Sequence, residues 1–275
     1  MKIVCLVENT KGPAGCAVEH GLSYYIETEK HRILMDTGAS DLVLENAEKL
    51  GVDLSRVDIA FLSHGHHDHG GGIPGFVQVN DRAKIYLQRS AIGKFYSDEF
   101  GGTLRYIGLS EETCGLSRLE FVDGDLEIDD ELYILSGIGQ EHPLPSGCLR
   151  QRMMGENGPV QDDYRHEQCV VITQSDKKYL FSGCAHHGIL NIMDRFREVY
   201  GKDPFAVFSG MHMMKTGEYT EDETDSIINT ALELRKTSTL FFTGHCTGER
   251  AFEAMHHIMG DQIQYMHCGD NIEFE

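Results

Sequence analysis

Short apolar runs alternate with polar, glycine-marked breaks along the 275 residues, and the apolar spacing switches repeatedly between strand and helix periods. Residues 2–7 read as a buried strand, 22–27 as an alternating strand, and 32–35 as a second apolar strand. That strand runs into Asp36-Thr37-Gly38, a turn that delivers a carboxylate at a sheet edge. Residues 41–50 carry apolar positions at helical spacing with Gly51 after them, and 57–63 form another buried strand. The middle, about 83–164, is less regular. It offers a strand at 84–87, a helical turn at 91–95, and paired strands over 120–135 around Asp123-Gly124-Asp125. The polar stretch 139–163 reads as a long loop, a candidate lid. Regularity then returns. Residues 168–174 and 178–181 form a hairpin across Ser175-Asp176, followed by a helix at 189–200 stopped by Gly201. A strand at 205–208, a helix at 221–236 opened by Thr220, a strand at 240–243, a helix at 251–259 and a last segment at 263–267 follow.

This succession predicts an α/β protein, taken as a single domain over 1–275 with a less regular insertion or lid within about 83–164. The length suffices for a core that folds without covalent staples. Eight cysteines are scattered with no CxxC pair, and residues 1–7 read as a strand rather than a secretory segment. Reduced thiols and a cytoplasmic location are therefore expected. No apolar stretch is long enough to span a membrane. The formal net charge of −20 argues against nucleic acid as a partner, because phosphate backbones need clustered Lys and Arg. It leaves room for a small and even anionic substrate if bound cations reverse the local field. Oligomeric state is not legible.

The candidate chemistry is concentrated in histidines. His64-Gly65-His66-His67-Asp68-His69 begins one residue after a buried strand, with Gly70-Gly71-Gly72 behind it. Imidazole and carboxylate together suit zinc, manganese or iron better than calcium or magnesium. A His-rich tract can be surface decoration, but this one is internal and contains an aspartate among its histidines. Three later strands end in small residues and then a histidine, at His186, His212 and His245, and strand ends that share a sheet edge can share a site. His20, His142 and His166 are further candidates, the last two from the irregular middle. Cys246, His256, His257 and the Met211, Met213, Met214 group read as packing or pocket lining.

The HxHxDH pattern after a strand, with Asp-Thr-Gly closing an earlier one, resembles the metallo-β-lactamase-fold superfamily. Glu19-His20-Gly21-Leu22-Ser23, Gly183-Cys184-Ala185-His186-His187-Gly188-Ile189 and Thr243-Gly244-His245-Cys246-Thr247-Gly248 are similar to one branch of it. That branch is labelled 7,8-dihydropterin-6-methyl-4-(β-D-ribofuranosyl)aminobenzene-5′-phosphate synthase-like. The resemblance implies an αβ/βα four-layer sandwich holding one or two divalent metal ions, zinc first, with manganese or iron as alternatives. It implies His64, His66 and His186 at one metal, and Asp68, His69 and His245 at the other. Asp36 would orient ligands from behind, with His20 and Cys184 as further supporting residues. Where many relatives carry Gly-Asp with a bridging carboxylate, this chain has Gly183-Cys184. Cys184 can ligate as thiolate, although a small packed cysteine is the plainer reading.

The implied activity is metal-dependent hydrolysis of a small substrate, a phosphate ester or other ester, with Asp68 steering the attacking water and His212 donating a proton. Two other readings stand beside it. One is a metal-dependent transferase joining a pterin methyl group to ribofuranosyl-aminobenzene phosphate. The other is a non-enzymatic metal or redox sensor that uses the thiols near the ligands.

Overall fold

The computed structural model of the protein describes residues 1–99 and 102–275. Its contacts divide the chain into two compact units, the first made of residues 1–124, 151–168 and 266–275, the second of 125–150 and 169–265. In chain order β1 (Lys2–Val7), β2 (Ser23–Glu27), β3 (Arg32–Met35), β4 (Ile59–Phe61), β5 (Lys84–Gln88), β6 (Phe95–Glu99), β7 (Thr103–Tyr106) and β8 (Leu119–Val122) belong to the first unit. β9 (Leu126–Glu127) and β10 (Leu132–Leu135) belong to the second. The chain returns to the first unit for β11 (Gln151–Gly155) and β12 (Gly158–Gln161). It then runs β13 (Cys169–Gln174), β14 (Lys177–Phe181), β15 (Ala206–Phe208), β16 (Leu240–Thr243) and β17 (Ile263–Tyr265) in the second unit, and closes with β18 (Asn271–Glu273) in the first.

The first unit holds a sheet in the order β18-β1-β2-β3-β4-β5-β8, antiparallel as far as β3 and parallel beyond it. The parallel strands are the continuous apolar runs of the sequence, as expected where both faces are covered. Helices α1 (Leu42–Lys49) and α3 (Ile73–Val79) bury Val43, Ala47, Ile73 and Phe76 in one cluster with Leu34, Ala60, Leu62 and Ile85. Between them lies the single turn α2 (His67–Gly70), and the short α4 (Glu111–Cys114) is capped by Ser110. A four-stranded sheet, β12-β11-β6-β7, completes this unit.

The second unit holds β17-β16-β15-β14-β13-β10-β9, parallel from β14 to β17. Its helices α5 (Ile189–Tyr200), α6 (Glu221–Arg235) and α7 (Glu249–Met259) bury Phe196, Ala231 and Met255 with Leu180, Val207 and Phe241. Thr220 and Glu223 form a reciprocal capping box at the start of α6, and Gly201 closes α5 in the left-handed conformation. Ser175 and Asp176 both take positive φ (51° and 62°), the geometry of a two-residue hairpin turn that follows strand twist.

Three expectations about the middle of the chain change. Residues 91–95 are not a helical turn: a 3-10 turn covers Arg89–Ile92 and β6 starts at Phe95. The strands around Asp123-Gly124 do not pair with each other, because β8 joins β5 in parallel while β9 joins β10. The stretch 139–163 is not a structureless loop: it contains a 3-10 turn at Ser146–Arg150 and the β11–β12 hairpin, which turns at Glu156-Asn157 into Gly158 at φ 122°. No helix among the described residues is long and apolar enough to cross a membrane.

Candidate metal centre

In the first unit the chemistry is assembled at the exits of β3 and β4. Asp36 follows β3 in a left-handed conformation (φ 58°), and its backbone N–H donates to Phe61 O at the end of β4 (2.9 Å). This sets its carboxylate against the start of the histidine run. Ser63 N–H donates to Asp36 Oδ1 (2.7 Å), and Ser63 Oγ and His69 Nδ1 both donate to Oδ2 (2.7 Å each). Because the Ser63 hydroxyl proton is committed to Asp36, its oxygen accepts from His64 Nδ1 (2.8 Å). By accepting from His69 directly and from His64 through Ser63, one carboxylate keeps the proton of both rings on Nδ1 and leaves Nε2 as the lone-pair nitrogen, the tautomer a metal ligand needs.

The remaining groups gather around that pair. The rings of His64 and His66 lie 4.6 Å apart and those of His64 and His69 4.2 Å apart, all three residues being buried. Asp68 Oδ2 stands 3.8 Å from His69 Nε2 and 3.3 Å from Nε2 of the exposed His20. Burial, helped by the neighbouring His69 and His66 rings, holds the His64 imidazole well below its ordinary range. Burial and then His166 push His66 down to about 3. Both rings are neutral at pH 7, as coordination requires. Gly65 lets the loop pass against the Ala91 carbonyl, which a Cβ would strike.

These donors fit a divalent ion of the zinc class. Three imidazoles and one carboxylate lie side by side, two of the rings have their tautomer set from behind, and the donor types match that metal chemistry. His64, His66, Asp68 and His69 are the residues that would supply ligands to one or two such ions.

In the second unit, β14, β15 and β16 lie in parallel register, Phe181 beside Phe208 beside Phe242, and those rings stack at 4.7 and 4.6 Å. Their exits consequently share one edge of the sheet. His186 follows β14 and is buried, with its ring 4.3 Å from that of His212 after β15 and its Nδ1 3.7 Å from Cys148 Sγ. Cys184, His212 and Cys246 bring one donor atom each to within 4.8 Å of one another, and so do Cys148, His186 and His212. Burial works to raise the Cys246 thiol, but the Cys184 thiol and the His212 and His245 rings beside it outweigh burial and hold it well below its ordinary value. His245 is buried in the 3-10 turn that follows β16. A cavity of about 520 Å³ opens nearby, walled by Met211, Met213 and Tyr219 and edged by Asp222, Glu223 and Glu233.

Several residues carry more, or less, than their sequence context suggested. His20 faces Asp68 directly. His166 packs beside His66 with ring centroids 5.3 Å apart, yet both of its nitrogens are committed: Nδ1 accepts from Gly65 N–H (3.0 Å) and Nε2 donates to Asp162 Oδ2 (3.2 Å). It therefore positions the loop between His64 and His66 instead of ligating. The Asp162, His166 spacing of four was its only sequence signal. Cys148 gave none, because its place beside His186 depends on the fold of residues 146–150. His142 pairs with Asp194 (2.9 Å), partly exposed.

Sheets of this topology with an HxHxDH run leaving β4 define the metallo-β-lactamase fold, and residues 17–147 match the family model described as the metallo-beta-lactamase superfamily. The fold of the chain is that of the metallo-β-lactamase superfamily. A crystal structure described as a metal-dependent hydrolase of the beta-lactamase superfamily superposes with a TM-score of 0.82 at 27% identity, covering 100% of this chain and 99% of that one. The 7,8-dihydropterin-6-methyl-4-(beta-D-ribofuranosyl)-aminobenzene-5′-phosphate synthase of Methanocaldococcus jannaschii is 27% identical over 274 residues, 93% of this chain and 90% of that protein. An uncharacterized protein of the same organism is 26% identical over 277 residues, 97% of this chain and 98% of its own length.

Proposed function

We propose that the protein is a metal-dependent hydrolase of a small phosphate ester or other ester. The observation that carries this reading is the tautomer relay from Asp36 through Ser63 and His69, which readies two buried imidazoles for a metal. When bound, a divalent ion would supply a water acidified to near neutrality and stabilise charge developing on the substrate oxygen. The chain's own contributions follow from its geometry. Asp36 and Ser63 fix ring orientation, and burial keeps the His64 and His66 imidazoles unprotonated. Asp68, within reach of His20 Nε2, steers the attacking water and can pass a proton to that exposed ring.

The test is metal content per chain by mass spectrometry, with and without Asp68→Ala, followed by turnover on phosphomonoesters, phosphodiesters and lactones. Bound zinc, manganese or iron together with ester hydrolysis that Asp68→Ala abolishes is the expected result. A protein that takes up none of these metals, or a loaded protein inert across the panel, overturns the reading.

A second reading has its own support. The Methanocaldococcus relative is named as a synthase acting in dihydropterin chemistry. The cavity in the second unit, with apolar walls and a carboxylate rim, suits a flat donor-rich heteroaromatic group. Product analysis separates the two: a condensation product from a dihydropterin methyl donor and a ribofuranosyl-aminobenzene phosphate supports the synthase, and simple hydrolysis opposes it.

A further inference from the structure

We infer that the cavity of the second unit is a binding site for a small organic cation, an apolar or aromatic body that carries a protonated amine. The proposal rests on residues of that unit alone and goes beyond both readings above, since neither calls for a cationic ligand. None of His186, His212 and His245 lines the cavity, so it is a site apart from the metal-ligand candidates.

The cavity is built by elements that are fixed without a ligand. Its walls are Ile189 and Leu190 at the start of α5, Met211, Met213 and Tyr219 after β15, and Ile227 on α6. Tyr219 is held from two directions: its hydroxyl donates to Met213 O (3.0 Å), and the Arg250 guanidinium lies over its ring, 4.9 Å from the centroid. The segment from His142 to Ser146 closes another side and is pinned to both helices. His142 N–H donates to Asn191 Oδ1 (2.7 Å), and the Asn191 amide donates back to His142 O (2.9 Å). Ser146 Oγ donates to Glu223 Oε1 (3.2 Å) in the first turn of α6. A space of about 520 Å³ between such walls has the size of a small-molecule pocket, and little has to be ordered when it fills.

The polar groups that face this space select the charge of the ligand. Asp222, Ser226, Asn229 and Glu233 follow one another at the spacing of a single helix face, with Asp225 beside them, and all five border the cavity. Glu223 is committed to Lys215 (2.7 Å) and Glu233 to Lys236 (2.6 Å), whereas Asp222 and Asp225 form no ion pair with a described residue. Among the described residues no lysine or arginine lines the cavity. In a chain of net charge −20, two unpaired carboxylates at the rim draw a cation in and turn an anion away. Thr230 supplies a further polar contact. It is nine-tenths buried, lines the cavity, and its hydroxyl has no hydrogen-bond partner among the described residues, so a bond is left for a ligand to make. The thioethers of Met211 and Met213 and the ring of Tyr219 suit an aromatic body.

Tryptamine is the probe, with tryptophol as its neutral counterpart and indole-3-propionate as its anionic one. The chain has no tryptophan, so indole fluorescence anisotropy reports the probe alone. Tryptamine should bind about fivefold more tightly than tryptophol, the effect of two solvent-exposed ion pairs, and indole-3-propionate should bind more weakly than either. Asp222 and Asp225 are exposed, so the Asp222→Asn/Asp225→Asn pair keeps the fold. That variant should bring tryptamine to the affinity of tryptophol and leave tryptophol unchanged. In ¹³C-methyl-methionine spectra, the Met211 and Met213 signals, assigned through Met211→Leu and Met213→Leu, should shift as tryptamine binds. Zinc-loaded and metal-free protein should behave alike, which keeps the result separate from hydrolysis. Equal affinity of the wild type for tryptamine and tryptophol overturns the proposal, as does a preference for tryptamine that survives in the double variant. Tryptamine binding that leaves Met211 and Met213 unmoved also overturns it, placing the cation elsewhere on the acidic surface. So does the failure of all three probes to bind at millimolar concentration.

Discussion

Replacing Asp36 by asparagine should separate metal affinity from folding. Asp36 accepts three hydrogen bonds, one on Oδ1 and two on Oδ2. Its left-handed backbone is one that asparagine tolerates, so Asp36→Asn adds little strain. In the variant the amide oxygen keeps the Ser63 N–H, while an NH₂ group replaces the oxygen that faced the Ser63 hydroxyl and His69 Nδ1. Ser63 can rotate and accept. His69 can satisfy the new donor only by moving its proton from Nδ1 to Nε2, the nitrogen meant for the metal. Loss of an orienting carboxylate behind a ligand typically costs 10–100-fold in affinity, about 1.4–2.7 kcal/mol. Stability of the metal-free protein should fall by less than about 1 kcal/mol, since each hydrogen bond finds a substitute. Asp36→Ala is the contrasting variant. It leaves a buried backbone N–H, a hydroxyl and a ring nitrogen without their acceptor and puts alanine at φ 58°, so about 3–5 kcal/mol of stability should go with the affinity. Zinc competition with a chromophoric chelator measures the first quantity and urea unfolding of metal-free protein the second. If Asp36→Asn bound zinc within twofold of the wild type, the tautomer relay would not be what prepares this site.

Three further outcomes follow from the same structure. In metal-free protein the His64 and His66 imidazoles are held below their unfolded values by burial, so the unfolded chain binds more protons in the acid range and stability drops as pH falls below about 6.5. The slope should approach about 1.4 kcal/mol per pH unit for each ring, and urea midpoints that do not move between neutral pH and the mid-acid range would contradict it. Phe208→Ala removes the middle ring of the Phe181, Phe208, Phe242 stack and should cost about 3–5 kcal/mol, read as a lower unfolding midpoint with an unchanged denaturant slope. Thr220→Ala breaks the capping box of α6 and should cost about 1 kcal/mol, with Thr220→Ser restoring most of it; equal stabilities for the two variants would count against the cap.

What could be read from the sequence divides along a physical line. Strands buried on both faces announce themselves as apolar runs, so β1, β3, β14, β15 and β16 were legible, and with them the strand exits that carry His186, His212 and His245. The β11–β12 hairpin was hidden because its strands are half-exposed and polar, and its turn residues, Glu156 and Asn157, carry no strong turn signal between them. β18 is three residues long with two of them exposed, and only pairing with β1 makes it a strand. The site obeys the same rule. Residues that act from a local motif, His64 through His69, could be named from spacing alone. His166 acts on Gly65 from 101 residues away, and its role as a positioning residue exists only once the chain has folded.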